Sequence, residues 1–457
     1  MAIDNKDIES FIETIEEFLK DPDHSTYSDN EIAKTLKNIA KYDETLFLEY
    51  LKKIPNEHLG DIALEFPEKH LRNFIDHLHQ DDLIEVVEEL DSDDATDLLQ
   101  DIEDIDKDKA DEILAALDKE DQEGIKKLKK YDEQSAGAIM QTELFSASYD
   151  EVIQDSINRL KIAKKDGKLT NIHQVFITDS FNKLMFAISL EDLLIFDFSK
   201  TYKEALSDRK EDFKPRYIRD TDKLEDVANQ FQDHDLFVVP IVGRNGELIG
   251  RITSDDIYDY MQESATEQIY NLAGVDDEAE EEENFFESAK KRGSWLFLNL
   301  ITAIAASLVI QMFDQTIQAF VALAILMPIV ASMGGNAGTQ TLTVTVRRLA
   351  LGDIELENAK DTIKREVLLS LLNGFVFAVI LGVISYFWFG EHLLGWIIAA
   401  SMVINILTAG FFGAFIPLML KRLNIDPAVG STVLLTTVTD VVGFFSFLGL
   451  ASWILIK

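Results

Sequence analysis

The chain has 457 residues with 43 lysines and arginines against 82 aspartates and glutamates, a formal net charge of −39, and yet 47% of it is hydrophobic. The two kinds of residue are segregated: from Trp295 onward nine acids and eight bases nearly cancel, so the first 294 residues carry a net charge of −38. So acidic a half repels nucleic acid and anionic lipid headgroups and attracts cations, while the absence of cysteine excludes a disulfide framework and thiolate metal sites.

The opening stretch MAIDNKDIESFIETIEEF has no basic region followed by an uninterrupted apolar core, which predicts that the N-terminal half stays in the cytosol. Between Leu71 and Leu117 one spacing recurs. Leu71, Phe74, Ile75 and Leu78 are followed by Leu83, Val86, Val87 and Leu90, then by Ala95, Leu98, Leu99 and Ile102, then by Ala110, Ile113, Leu114 and Leu117. Each set has the i, i+3, i+4, i+7 pattern of one apolar stripe on a short helix. Asp81, Asp93 and Asp108 stand near the starts, where an acid caps the helix or complements its dipole. Steps of 12, 12 and 15 residues predict a solenoid of stacked short helices, with a plain helical bundle as the alternative.

After Tyr131 the pattern turns to β segments: Val175 to Thr178, a turn at Asp179 to Asn182, Leu184 to Ser189, then a helix opening at Glu191. Leu236 to Val242, a turn at Gly243 to Gly246, Leu248 to Thr253 and a helix from Asp255 repeat that order. Ser189 to Thr253 and Asp192 to Asp256 are both 64 residues apart, which predicts a pseudo-symmetric pair of β-β-α units with a cleft between its halves.

Five apolar stretches follow, near Trp295 to Phe313, Phe320 to Val346, Val367 to Phe389, Leu393 to Leu420 and Ala428 to Ile456. Each is long enough to span a hydrocarbon core, which needs about 20 apolar residues. Lys290, Lys291 and Arg292 precede the first, Arg347, Arg348, Lys360, Lys364 and Arg365 separate the second from the third, and Lys421 and Arg422 follow the fourth; the loops near Asp314 and Glu391 hold no base. The positive-inside rule then puts the N-terminus in the cytosol and the C-terminus outside.

Asp440, in Thr436-Thr437-Val438-Thr439-Asp440, is the one ionisable residue well inside a predicted span. An acid at that depth needs water, a partner or an ion, and so marks a candidate site; the alternative is a protonated Asp bonded to a neighbouring helix. The threonines add hydroxyl oxygens, although in such helices they often bond their own backbone. Met327-Pro328 and Gly334-Gly335-Asn336-Ala337-Gly338-Thr339-Gln340 are unfavourable for a regular helix, and freed carbonyls there would line a pore with Asp440. Close helix packing through small residues is the other reading. These groups are all oxygens, which suit Mg²⁺, Ca²⁺ or Mn²⁺, and hydrated Mg²⁺ is held through its waters. One Asp per chain is sparse for a divalent ion, so a homodimer with a shared axial pore is expected. The acidic run Asp276 to Glu283 reads as a disordered linker or, with the other acids, as a sensor in which Mg²⁺ screens repulsion and compacts the cytosolic half.

In this order of segments the chain resembles the MgtE family of magnesium channels over nearly its whole length. Tyr131-Asp132-Glu133-Gln134-Ser135-Ala136-Gly137-Ala138-Ile139-Met140 resembles the family's join between its helical N domain and paired CBS domains. Pro328, Gly334-Gly335-Asn336, Gly338 and Gln340 resemble its second-span signature, and Asp426-Pro427-Ala428 and Asp440 its fifth. The resemblance implies a multidomain fold: an all-α superhelical N domain over 1–130, an α/β CBS-domain pair over 131–200 and 201–264, a connecting plug helix and acidic linker over 265–294, and a homodimeric five-helix α transmembrane domain over 295–457. It implies a Mg²⁺ channel of the cytoplasmic membrane, closed by cytosolic Mg²⁺. Asp440, Asp426, Asn336 and Thr436 would hold Mg²⁺ in the pore. Ala265-Thr266-Glu267 would open the plug helix, and Asp256, Asp259, Glu263 and Glu267 would bind regulatory Mg²⁺. CBS pairs frequently bind adenine nucleotides such as ATP, and Thr253 and Asp256 fit a ribose-contacting pattern that is also an ordinary helix cap. The chain departs from the family at Ser431-Thr432-Val433, where a proline is common before the acid, at Phe186 in place of a glycine, and at Ser264 and Gln268 in place of acids.

Two other functions compete: a divalent-cation secondary transporter coupled to Na⁺ or H⁺, with Asp440 titrating in the cycle, and a CBS regulator merely tethered by its spans. The chain has no phosphate loop, HExxH or nucleophile elbow, which argues against an enzyme.

Overall fold

A computed structural model describes residues 5–456 apart from 166, 168, 170, 276–284 and 355–358; the acidic run Asp276 to Glu283 lies outside the described residues. The chain forms two compact units, Met1–Met261 and Gln262–Lys457.

Among the described residues the first unit opens with nine α-helices: α1 (Asn5–Phe18), α2 (Asp29–Tyr42), α3 (Glu44–Leu51), α4 (Asn56–Leu64), α5 (Glu68–His77), α6 (Gln80–Glu88), α7 (Ser92–Ile105), α8 (Lys107–Ala116) and α9 (Lys119–Leu128). The recurring apolar stripe is the core. Leu71, Phe74, Ile75, Leu83, Val86, Val87, Ala95, Leu98, Leu99, Ile102, Ala110, Ile113 and Leu117 are buried in one continuous cluster, each large aliphatic or aromatic side chain stabilising by roughly 1.5–3 kcal/mol. The stripe also continues upstream of Leu71, through Ile32, Leu36, Phe47, Leu51 and Ile62. Even-numbered helices α2, α4, α6 and α8 pack in one row and odd-numbered α3, α5, α7 and α9 in a second, the stacking of a superhelix rather than a bundle. Asp81, Asp93 and Asp108 sit in first turns, where Asp81 and Asp108 complement the dipoles. The side-chain caps come from elsewhere: Ser28 and Glu31 form a capping box, Asp43 accepts from Thr45 and Leu46, and Asp106 accepts from Lys109.

The β region contains two three-stranded sheets. In one, β1 (Ser146–Ser148) runs parallel to β2 (Gln174–Thr178), which pairs antiparallel with β3 (Leu184–Ser189). In the other, β4 (Ile218–Arg219), β5 (Val238–Val242) and β6 (Leu248–Thr253) repeat the same order. The 64-residue period holds in detail. Val175 pairs with Ile188 as Val239 pairs with Ile252, and both ladders shift register at the same place, Ile177/Thr178 and Ile241/Val242. The two hairpin turns bond reciprocally, Leu184 N–H to Gly246 O at 3.2 Å and Leu248 N–H to Asn182 O at 2.9 Å, around the Lys183–Glu247 bridge. A pseudo-twofold axis passes there. Helices α10 (Ile153–Lys165), α11 (Leu190–Leu193), α12 (Tyr202–Ala205) and α13 (Leu224–His234) complete the pair, and α14 (Ser254–Ala273) continues from β6 into the second unit.

Among the described residues the second unit holds five helices long and apolar enough to cross a membrane: α15 (Phe285–Gln311), α17 (Val321–Ala350), α18 (Ala359–Phe389), α19 (His392–Arg422) and α20 (Ser431–Leu455), with a short α16 (Asp314–Ala319) between the first two. The chain is a multi-pass membrane protein. Leu372, Phe375 and Phe387 of α18 are all more than 60% exposed, a cost in water that a hydrocarbon surround removes. α19 is the central helix, packed against α17, α18 and α20. One expectation is corrected. α17 runs unbroken as an α-helix through Pro328 and the glycine run, because Gly334 and Gly338 are used for close packing: a side chain at Gly338 would press on Leu435, and one at Gly413 of α19 would lie 2.8 Å from the Gly338 carbonyl.

Candidate functional site

Within the membrane unit, α17 divides its polar residues cleanly. Gly334, Gly338, Thr341 and Thr345 are buried, whereas Ser332, Asn336, Thr339, Gln340 and Thr343 are exposed along one side. Their spacing of four, three or four, and three or four residues is one helical stripe, and Asn336 Nδ2 donates to Ser332 Oγ at 3.4 Å. A polar stripe on the outside of a membrane helix needs water or a partner.

Asp440 is partly buried in α20, nine residues after its start, which at ~1.5 Å per residue is roughly 13 Å along the helix. The nearby hydroxyls are engaged as donors: Thr436 Oγ1 to Thr432 O at 3.0 Å, Thr437 Oγ1 to Val433 O at 2.6 Å, Thr439 Oγ1 to Thr436 O at 3.1 Å. Each oxygen keeps lone pairs that accept from water. Thr436 and Asp440 share a face one turn apart, and Thr439 is fully buried. Sequence reasoning overlooked Glu366 of α18, a second acid buried in the membrane unit, because it lies just before the apolar stretch.

Asp426 stands in the loop before α20. Its Oδ1 accepts from Ala428 N–H at 2.8 Å and its Oδ2 from Asn271 Nδ2 of α14 at 3.1 Å. Thr432 Oγ1 donates to the Leu272 carbonyl at 2.7 Å, and Leu272 packs on the cluster of Leu342, Val346, Ile416, Leu420, Ala428 and Leu435. The end of α14 is thus fastened to the loop and first turn of the fifth span. Thr432 supplies the fastening hydroxyl.

In the first unit, α7 has no side-chain cap from its own Asp91. Glu143, from the β region, takes that role: its Oε2 accepts from Ser92 N–H at 3.2 Å and from Ser92 Oγ at 2.9 Å, and Thr142 N–H donates to Ser92 Oγ at 2.9 Å. Asp93 and Asp94 in the first turn of α7 feel the charge of Asp256 in α14. Asp93 is buried, its Oδ1 has no hydrogen-bond partner among the described residues, and burial, then Asp94 and Asp256, push its carboxyl well above the usual range. Asp94 is pushed up to about 8 by burial and then by Asp256, Asp61, Asp91 and Asp97, and Asp256 to about 6 chiefly by burial. Asp259 is raised by burial and then Glu65 and Asp255. Repulsion among desolvated carboxylates is what a divalent cation relieves. Among the described residues no three such side chains converge closely enough to hold an ion. From sequence Asp93 reads only as an acid that caps the helix or complements its dipole, and Asp94 was overlooked, since nothing in a helix start reveals which strand or helix it will face. Asp256, Asp259, Glu263 and Glu267 lie along one side of α14.

Thr253 is buried, and both its N–H and its Oγ1 donate to Asp256 Oδ2, at 3.1 and 2.8 Å. Ser189 Oγ donates to Asp192 Oδ2 at 2.7 Å in the first half. The pair is therefore a helix cap in both repeats.

The family described as divalent cation transporter (MgtE) matches residues 327–450, the MgtE intracellular N domain matches 28–134, and the CBS domain matches 211–263. Together with the five spans these define a multi-pass divalent cation transporter carrying a CBS module, a transporter and not an enzyme. The magnesium transporter MgtE of Thermus thermophilus is 30% identical over 341 residues, 74% of each chain. That of Enterococcus faecalis is 32% identical over 328 residues, 72% of this chain and 71% of the other, and that of Bacillus subtilis 27% over 415 residues, 86% and 90%. The chain belongs to the MgtE family. A solved cytosolic domain of the Mg²⁺ channel MgtE in complex with ATP is 22% identical with a TM-score of 0.48, covering 55% of this chain and 99% of that one.

Proposed function

We propose that the protein is a homodimeric Mg²⁺ channel of the cytoplasmic membrane that admits Mg²⁺ and closes when cytosolic Mg²⁺ binds its acidic half. The observation that carries this reading is the exposed polar stripe of α17, Ser332, Asn336, Thr339, Gln340 and Thr343, on a helix long enough to cross a membrane. A second copy on a twofold axis would turn that stripe into a water-filled lumen and double the single Asp440. Asp440, Asn336 and Thr436 would then meet the hydrated ion through its waters. Asp426 would act at the entrance, where an ion competes with Asn271 for its carboxylate.

The sensing half of the proposal rests on Asp93, Asp94 and Asp256, whose carboxyls are held above the usual range by burial first and by neighbouring acids second. Mg²⁺ in place of protons would draw the acidic stack and CBS pair together, and α14, with Asp259, Glu263 and Glu267, is the continuous helix that carries the change onward. In this reading 1–130, 131–200 and 201–264 sense, 265–294 connects, and 295–457 conducts, with the N-terminus cytosolic and the C-terminus outside. An adenine nucleotide at the CBS pair would require the Thr253 hydroxyl to turn from Asp256 to a ribose; equilibrium dialysis with ATP checks this, with binding lost in Thr253→Val.

The channel differs from a coupled transporter in what drives flux. Purified protein in liposomes, given only a Mg²⁺ gradient, is expected to pass Mg²⁺ at a rate indifferent to imposed Na⁺ and pH gradients. Flux that requires either gradient would replace the channel with a coupled transporter.

A further inference from the structure

Asn405, in the middle of α19, is fully buried. Its Nδ2 donates to the Val330 carbonyl of α17 at 2.8 Å, while its Oδ1 has no hydrogen-bond partner among the described residues. Glycines from two different spans flank the amide. A Cβ at Gly334 of α17 would overlap Nδ2 and lie 2.9 Å from Oδ1; one at Gly443 of α20 would lie 2.7 Å from Nδ2 and 3.2 Å from Oδ1. Three helices therefore meet on one carboxamide, and two of them reach it only because they lack side chains there. An unmade bond on a buried polar atom is costly, so an apolar residue would fill this gap more cheaply, and packing alone leaves the amide unexplained.

Gly443 is three residues after Asp440 on α20, and Gly334 lies on α17 between Ser332 and Asn336, on the buried side opposite that polar stripe. The spacing of α17 and α20 is thus set at Asn405, and with it the placement of the polar stripe relative to the acid.

We propose that Asn405 is a positioning residue for permeation: its carboxamide, held by Val330 and seated between Gly334 and Gly443, fixes the spacing of the two polar walls and so discriminates among hydrated divalent ions. This rests on the reading of Asp440 as a pore residue. Hydrated Mg²⁺ has a firm shell and Ca²⁺ a labile one, so a change in spacing alters the ratio of their fluxes and not only the total, which a purely structural contact would not do.

The test uses the full chain in proteoliposomes, with Mg²⁺ and Ca²⁺ influx measured separately for Asn405→Ser, Gly443→Ala, the pair of them, and Asp440→Asn. The Mg²⁺ to Ca²⁺ ratio is expected to change by roughly threefold or more in Asn405→Ser. Mg²⁺ flux should fall by about tenfold in Gly443→Ala and recover to within about threefold of Asn405→Ser in the pair, since the serine makes room for the added methyl. If Gly443→Ala does not fold, Gly334→Ala paired with Asn405→Ser runs the same cycle, and the ratio in Asn405→Ser alone still decides. An unchanged ratio in Asn405→Ser, or a pair whose defects simply multiply, overturns the proposal. Mg²⁺ flux retained in Asp440→Asn removes the pore reading and this inference with it; flux that needs Asp440 while the pair shows no rescue removes this inference alone.

Discussion

Asp94 holds its proton to about pH 8 because burial and the charges of Asp256, Asp61, Asp91 and Asp97 oppose ionisation. A carboxyl whose folded pKa is raised lets the folded state bind more protons than the unfolded chain, so stability falls as pH rises between the unfolded value of about 4 and about 8. Asp94→Asn removes that dependence. The expected result is a melting temperature several degrees higher at pH 8.5 without Mg²⁺, at ~2–4 °C per kcal/mol for a unit this size, together with a smaller rise on adding Mg²⁺. Differential scanning fluorimetry of the full chain across pH, with and without 10-fold steps of Mg²⁺, measures both. A melting temperature lowered by the substitution, with an undiminished Mg²⁺ response, would remove the stored repulsion from the sensing account.

At the level of elements, the fastening between α14 and the fifth span is the contact that closing would use. Thr432→Val deletes the hydroxyl bonded to Leu272 and keeps the shape, a loss of ~0.5–1.5 kcal/mol. If closing depends on it, current at high cytosolic Mg²⁺ should rise roughly two- to tenfold, while current at low Mg²⁺ stays near wild type; equal changes at both concentrations would make the bond structural only. Most elements were legible in the sequence because periodicity reports burial directly: the stripe from Leu71 to Leu117, the 64-residue β repeat and the five apolar stretches all became the elements expected. The helices before Leu71 were less legible because Pro55 and Pro67 and short loops interrupt the run. The glycines of α17 misled for a physical reason. Glycine is poor in an isolated helix, yet between packed membrane helices Asn405 and Leu435 fill the space it leaves, and the helix continues. Asp93 and Asp94 look like any first-turn acids until Ser92 is tied to Glu143.

For the whole molecule, the charge segregation between the acidic half and the near-neutral spans was readable from composition alone, and on the proposed reading it divides sensing from conduction. What composition leaves out is the proposed lumen: one chain offers a polar stripe and the partly buried Asp440, and the proposal needs a twofold partner to close them into a path. The most direct test is Mg²⁺ influx into proteoliposomes containing the full chain, wild type against Asp440→Asn, at low and at high Mg²⁺ on the cytosolic face. The account predicts wild-type flux that falls at high cytosolic Mg²⁺ and a drop of about tenfold or more in Asp440→Asn at low Mg²⁺. Flux indifferent to Asp440 would contradict it and leave a CBS regulator tethered by its spans.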